Sequence, residues 1–262
     1  MKRCDCMINL PRFTAVLFAA ALSGANLAAT QTLADTLRVH GSTTFSRKIM
    51  EPLQAEIEKL SGHRLEVIPN KTLRGLLSLI EGRADMAMIS APLENELSDL
   101  ASVKSSVVPN LRVHPITSTR IAVGVHASNL VRSASLAQLT KILNGEITNW
   151  SALGGGDAPI RVAVVGEGGG VTTTLEAVML KGEKITISNL LYVRTPVQLA
   201  WVIEQESNAI AFGQLALFEQ RKIPQIDTDQ PIIQPLSFVT LGEPTPGMMA
   251  VIAASRRVTA GQ

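Results

Sequence analysis

Three observations make this chain an α/β protein folded as two lobes. Short runs rich in Val and Ile alternate with amphipathic segments of helical length almost to the end of the sequence, the pattern of layered sheets with largely parallel strands. The series restarts at Ile121 with a fresh strand and helix, and a lone strand and helix close the chain after Pro235. A strand that stops at a glycine-rich, hydroxyl-bearing turn and runs straight into a helix occurs twice, beginning at Leu37 and at Arg161. That device presents free N–H groups and hydroxyls to one point, as an anion holder does.

Taken in order, strands are expected at Leu37–His40, Leu65–Ile68, Met86–Ile89, Ile121–Val125, Arg161–Val165, Ile210–Phe212 and Leu236–Thr240. Helices are expected at Ser46–Leu60, Thr72–Glu81, Leu136–Leu143, Thr172–Leu180, Pro196–Gln205 and Pro246–Ser255. Two lobes joined by more than one crossover explain the restart and the closing segment, with lobe 1 built from 35–118 plus 241–262 and lobe 2 from 119–240. The cleft between such lobes is a standard place for a small ligand.

Residues 1–34 read as an export signal. Lys2, Arg3 and Arg12 form a basic start, Phe13 to Leu22 is a short apolar run, and Thr32-Leu33-Ala34 offers a cleavage site, so the mature chain is expected to start near Asp35. Cys4 and Cys6 precede the apolar run, the wrong place for a lipid-bearing cysteine, and the mature chain is expected to carry no thiol, disulfide or lipid anchor. Without that segment the 24 Lys and Arg and 22 Asp and Glu of the whole sequence fall to equal numbers. A neutral domain gives no footing to a nucleic-acid or anionic-membrane partner. No later apolar run reaches the roughly 20 residues that cross a bilayer, and the expectation is a soluble protein of the periplasm.

The motifs point to binding and not to turnover. Gly41-Ser42-Thr43-Thr44-Phe45 joins the first strand to its helix; such a turn favours Gly and an N-capping hydroxyl in any α/β protein, and it also suits an oxyanion. Gly166-Glu167-Gly168-Gly169-Gly170, then Val171 and Thr172-Thr173-Thr174, repeats the device, with Gly168, Gly169 and Gly170 allowing close backbone approach and Thr172 a hydroxyl. It lacks the Lys-Ser/Thr pair of a Walker loop. The four histidines, His40, His63, His114 and His126, have no metal-ligand spacing, and neither a cysteine nucleophile nor a GxSxG elbow occurs in the mature chain. No cofactor or metal is implied. Trp150, Trp201 and Tyr192 are too few for a base- or sugar-stacking groove.

Several runs stand together in one known order: GSTTF (41–45), GRADMAMISAPL (82–93), NGEITNWSALGGGDAPI (144–160), GEGGGVTTT (166–174), AIAFG (209–213) and PLSFVTLGEPTPG (235–247). Through them the chain resembles the periplasmic phosphate-binding proteins of ABC phosphate importers, which have the type II solute-binding fold. The resemblance covers essentially the whole mature chain. It implies a monomeric protein that closes on a small inorganic oxyanion, phosphate by default, and hands it to an ABC permease in the inner membrane. Trp150 is expected to pack behind the turn after a helix. Thr44 and Phe45 match the family's first phosphate turn, and Thr72 matches the hydroxyl of the second, where Arg74 replaces a small residue. Ser90 stands at the family's proton-accepting aspartate, and Val165, Gly169 and Val171 stand at its arginine, serine and threonine. Lys71, Arg74 or Arg120 are then the candidates for the missing positive charge, each with an ordinary surface role as the alternative. Two further readings stay open: the same fold with an altered site, binding another anion or serving as a non-transport envelope or sensor protein, and a hydrolase on the same scaffold.

Overall fold

The computed structural model describes residues 34–97, 110–166 and 169–260. The expected export signal with Cys4 and Cys6 lies outside them except for Ala34, which opens the first strand.

Among the described residues ten strands form the sheets: β1 (Ala34–Gly41), β2 (His63–Pro69), β3 (Met86–Ile89), β4 (Leu111–Val125), β5 (Ser133–Ala134), β6 (Arg161–Val165), β7 (Leu190–Val193), β8 (Ala209–Gln214), β9 (Gln225–Thr228) and β10 (Ile232–Leu241). The main sheet runs β2-β1-β3-β10-β4-β8-β6-β7, with β9 beside β4 and β5 beside β9. Strands β1, β2 and β3 are parallel, as are β6, β7 and β8. Between these groups the long strands β4 and β10 are antiparallel to each other and to their flanking strands β8 and β3. The sheet is therefore mixed, where the alternation alone predicts largely parallel strands. The β4–β10 ladder changes register between Leu236 and Ser237, opposite the Thr117-to-Pro115 step.

Buried side chains gather in separate clusters. Val39, Phe45, Met88, Phe238 and Val251 pack on one face of the β1–β3 end, and Leu76, Ala87, Ile89 and Val239 on the other. Val123, Leu139, Trp150, Leu175 and Phe212 form the largest cluster, and Leu199, Ala211, Phe218 and Ile223 lie on the opposite face of that end. The first pair of clusters draws on residues 37–116 and 236–258, the second on residues 121–232. Trp150, 2% exposed, sits in a short 3-10 turn and donates its indole N–H to the Asn208 carbonyl at 3.1 Å, the packing role expected of it.

The first helical run lasts from Thr43 to Ser61, and its second turn, Ser46–Met50, is π-helical. Pro52 offers no N–H to the Lys48 carbonyl one turn back, so the ladder widens there. The helix Thr72–Ile80 crosses directly over the end of β1: a side chain on Gly75 would lie 2.4 Å from the Gly41 Cα, and one on Gly41 would lie 2.2 Å from the Met88 carbonyl oxygen, so both positions need glycine. That contact brings the starts of the first two helices together. The closing helix, Pro246–Thr259, packs along Glu51–Ser61.

Candidate functional site

A cavity of about 170 Å³ opens where the starts of four helices meet. Ser42, Thr43 and Thr44 begin the first helix; Lys71 and Thr72 begin the helix Thr72–Ile80; Gly169, Gly170 and Val171 begin the helix Gly170–Met179; Arg194, Thr195 and Pro196 begin the helix Pro196–Gln205. The first N–H groups of each helix have no intrahelical acceptor, and the aligned peptide dipoles place partial positive charge at all four starts. Arg47, on the π-helical turn that follows Thr43 and Thr44, adds a full charge, as do Lys71 and Arg194. No carboxylate is among the described residues that line the cavity. The side chains of Arg47 and Arg194 make no hydrogen bond or ion pair with another described residue.

The hydroxyls around this point divide into two sets. Ser42 Oγ caps its helix by accepting from the Phe45 N–H at 3.1 Å and donates to Ser90 Oγ at 2.7 Å. The Ser90 carbonyl accepts from Thr174 Oγ1 at 3.1 Å and from Gln234 Nε2 at 2.8 Å. A side chain on Gly170 would stand 2.0 Å from Ser90 Oγ, so the third helix start lies directly against this bonded group. Thr172 Oγ1 donates to the Val165 carbonyl at 2.5 Å. In contrast, Thr72 is 1% exposed, lines the cavity, and its hydroxyl has no partner among the described residues. Thr44 Oγ1 accepts from Gln214 Nε2 at 2.7 Å, which leaves its own proton free to donate.

Lys71 also carries backbone strain. Its φ of 76° with ψ of 153° is a conformation that L-residues rarely adopt, and it falls at the N-cap of the helix Thr72–Ile80.

Of the residues singled out from the sequence, Ser42, Thr43, Thr44, Thr72, Gly169 and Gly170 line the cavity. Gly168 lies outside the described residues. Phe45 does not line the cavity: its ring is in the core, 4.6 Å from that of Phe238, and its N–H is taken by the Ser42 cap. Thr172 is occupied with the Val165 carbonyl, and Ser90 is buried behind Ser42 and Gly170. Arg74 lies on the exposed side of its helix and Arg120 lines a different depression, with Asp227, so of the three cations considered only Lys71 reaches the cavity. Arg47 and Arg194 take their place. Arg47 was legible as the residue three and four positions after Thr44 and Thr43, on the same helix face. Arg194 precedes Thr195-Pro196, an N-cap and N1 pair that caps Gln198 at 3.2 Å.

A mixed sheet with four helix starts turned on one cavity is the architecture of the type II solute-binding fold. The chain belongs to the family described as the PBP superfamily domain, whose model matches residues 26–257. Its fold is similar to that of an ABC-type phosphate transport receptor from Vibrio cholerae (19% identity, TM-score 0.66, covering 86% of this chain and 95% of that one). It is equally similar to a phosphate ABC transporter substrate-binding protein from Clostridium perfringens described with bound phosphate (21%, 0.66, 84% and 92%). A reduced OxyR from N. meningitidis shares the fold as well (13%, 0.59, 86% and 96%). No curated protein matches the sequence. Among the described residues no helix is long and apolar enough to cross a membrane.

Proposed function

We propose that the protein is a periplasmic solute-binding protein that captures a small tetrahedral oxyanion, phosphate foremost, and delivers it to an ABC permease in the inner membrane. The observation that carries this reading is the Thr72 hydroxyl, buried and unpartnered, at a cavity whose described lining holds Arg47, Lys71 and Arg194 and no carboxylate. A buried hydroxyl without a partner is costly, and an anion at that point would satisfy it together with the free N–H groups of the helix starts. The phosphate-receptor names of the Vibrio and Clostridium proteins support the same ligand class. The OxyR likeness shows that the fold by itself does not select transport, so the argument rests on the site.

In this reading 35–118 plus 241–262 form one lobe and 119–240 the other, a division supported by the separate buried clusters except at its last boundary, where Leu236, Phe238 and Val239 pack with the first lobe. The lobes hinge on β4 and β10 near their change of register. Closure brings Gln214 to Thr44, excludes water, and strengthens each hydrogen bond to the anion. The protein releases its ligand unchanged and catalyses nothing. Calorimetric titration with phosphate tests the reading: a saturable 1:1 isotherm that weakens with salt is expected, and an absence of heat with phosphate, sulfate and simple phosphonates alike overturns it.

A further inference from the structure

The oxyanion reading accounts for Thr72, the arginines and the helix starts, but not for the rest of the cavity wall. Val165, Val171, Pro196, Leu199 and Phe212 line the same 170 Å³ space. Leu199 and Phe212 are fully buried in the core behind it, so the apolar surface that the cavity presents belongs to Val165, Val171 and Pro196. Val165 supplies no polar side-chain atom, and the Thr172 hydroxyl is turned onto the Val165 carbonyl and so withdrawn from the cavity. The polar groups come instead from Ser42 to Arg47, from Lys71 and Thr72, and from Arg194 and Thr195.

Inorganic phosphate has an oxygen at every vertex. Inside a closed site each oxygen that meets only methyl and ring carbons loses its water without gaining a donor, which is unfavourable for any polar atom and more so for a charged one. A ligand with one carbon vertex has no such conflict: the three oxygens take the donors, and the carbon meets the apolar wall. Space is adequate, since an apolar cavity of about 150 Å³ holds a benzene molecule, and a tetrahedral head is smaller than that ring.

We propose that the preferred ligands of this site are alkylphosphonates, tetrahedral oxyanions in which one oxygen is replaced by a short alkyl group that packs against Val165, Val171 and Pro196. The inference rests on the oxyanion reading and narrows it to one substrate class.

The test is calorimetric competition of the purified protein with inorganic phosphate, methylphosphonate and ethylphosphonate at one pH and one ionic strength. A site with donors for every oxygen rejects an analogue that lacks one, whereas an apolar vertex rewards a methyl group by about tenfold or more, so the two arrangements predict opposite orders. At least one alkylphosphonate binding as tightly as phosphate, or more tightly, is the expected result. Phosphate binding more tightly than both overturns the inference and leaves oxyanion capture standing. Binding of none of the three overturns this inference, and a silent titration with sulfate beside them overturns oxyanion capture as well. Val165→Arg, which restores a donor to the apolar wall, is expected to shift the preference toward phosphate by about tenfold; an unchanged ratio in a folded variant counts against the proposal. If that variant does not fold, the order of the three ligands on the native protein decides alone.

Discussion

At the inner end of the cleft, Ser42, Ser90, Thr174 and Gln234 hydrogen-bond to one another, and Gly170 closes over them. A few residues away, Thr44, Thr72, Arg47 and Arg194 face a cavity with donors that no described residue accepts. Both groups look alike in the sequence, as hydroxyls and glycines at the starts of helices. They differ in whether the fold itself uses up the hydrogen-bonding capacity of their hydroxyls: in the first group every hydroxyl has a partner and the Gln234 Oε1 is left over, whereas in the second the Thr72 hydroxyl has none among the described residues. Saturated polar groups hold the protein together, and unsaturated ones wait for a ligand, because leaving a donor unpaired has to be offset by something. The two groups should therefore respond to mutation in opposite ways.

The largest expected effect is on the unsaturated side. Replacing Arg47 and Arg194 together by Gln removes two full charges from the cavity and should weaken anion binding by about 100-fold or more, roughly tenfold for each charge-assisted contact. The thermal midpoint of the free protein should not fall, since neither guanidinium has a protein partner among the described residues. Titration calorimetry beside a melting curve reads both quantities. Unchanged affinity would place the anion elsewhere.

Next comes the saturated side. In Gly170→Ala the new methyl stands 2.0 Å from Ser90 Oγ and 2.9 Å from its carbonyl oxygen, so the helix start must move away and the Ser42–Ser90 bond must bend. Overpacking of this kind costs about 1 to 3 kcal/mol. Urea unfolding should show that loss in the ligand-free protein, and a variant as stable as wild type would mean that Ser90 gives way freely.

A matched pair of single changes sharpens the contrast. Ser42→Ala removes an N-cap and a buried hydroxyl pair, with an expected loss of about 1 kcal/mol in stability. Thr72→Val removes a hydroxyl that has no partner in the free protein, so stability should stay level or rise, while anion affinity falls by about tenfold. Were the two variants to lose stability equally, the distinction between the groups would be lost.

The architecture was legible because its strongest signals are local. Met86–Ile89, Arg161–Val165, Leu136–Leu143 and Pro196–Gln205 have the bounds that their apolar patterns predict. Strand β4 was legible only from Ile121 onward. Its first ten residues, Leu111 to Arg120, are half exposed and include Pro115, so no apolar run marks them, and their strand state comes from pairing with β10. The same gap hid β7, and with it Arg194: without a strand at Leu190–Val193, the Arg194-Thr195-Pro196 turn does not read as another strand-to-helix junction. At the site, position in sequence placed Thr44 and Thr72 at the cavity, but no pattern in a sequence says which hydroxyls will find partners. Ser90 and Thr172 have the same chemistry as Thr72 and are consumed by the backbone and by Ser42.

The smallest expected effect concerns a charge that is already paired. Arg38 donates to Asp85 from Nε at 3.1 Å and from a terminal nitrogen at 2.8 Å, and its backbone N–H donates to the same carboxylate at 2.8 Å, tying β1 to the approach to β3. The Arg38 hydrogen bond holds the Asp85 carboxyl below the ordinary carboxylate range, against partial burial, which acts the other way. A depressed native value means that the unfolded chain takes up its proton first as the pH falls. The stabilisation is therefore complete at neutral pH and is lost on acidification from about pH 4, the ordinary value, down through the native one. Because the two side chains are 41% and 26% exposed, solvent screening limits the contribution to about 1 kcal/mol. Asp85→Asn should be less stable than wild type by that amount at pH 7, and the difference should shrink as the pH is lowered below about 4, with anion affinity unaffected at neutral pH. Urea denaturation of both proteins across that range, with calorimetry at pH 7, makes the comparison. A pH-independent gap would mean that the shape of the Asp85 side chain matters and its charge does not, and a loss of affinity would tie this saturated pair to the cavity after all.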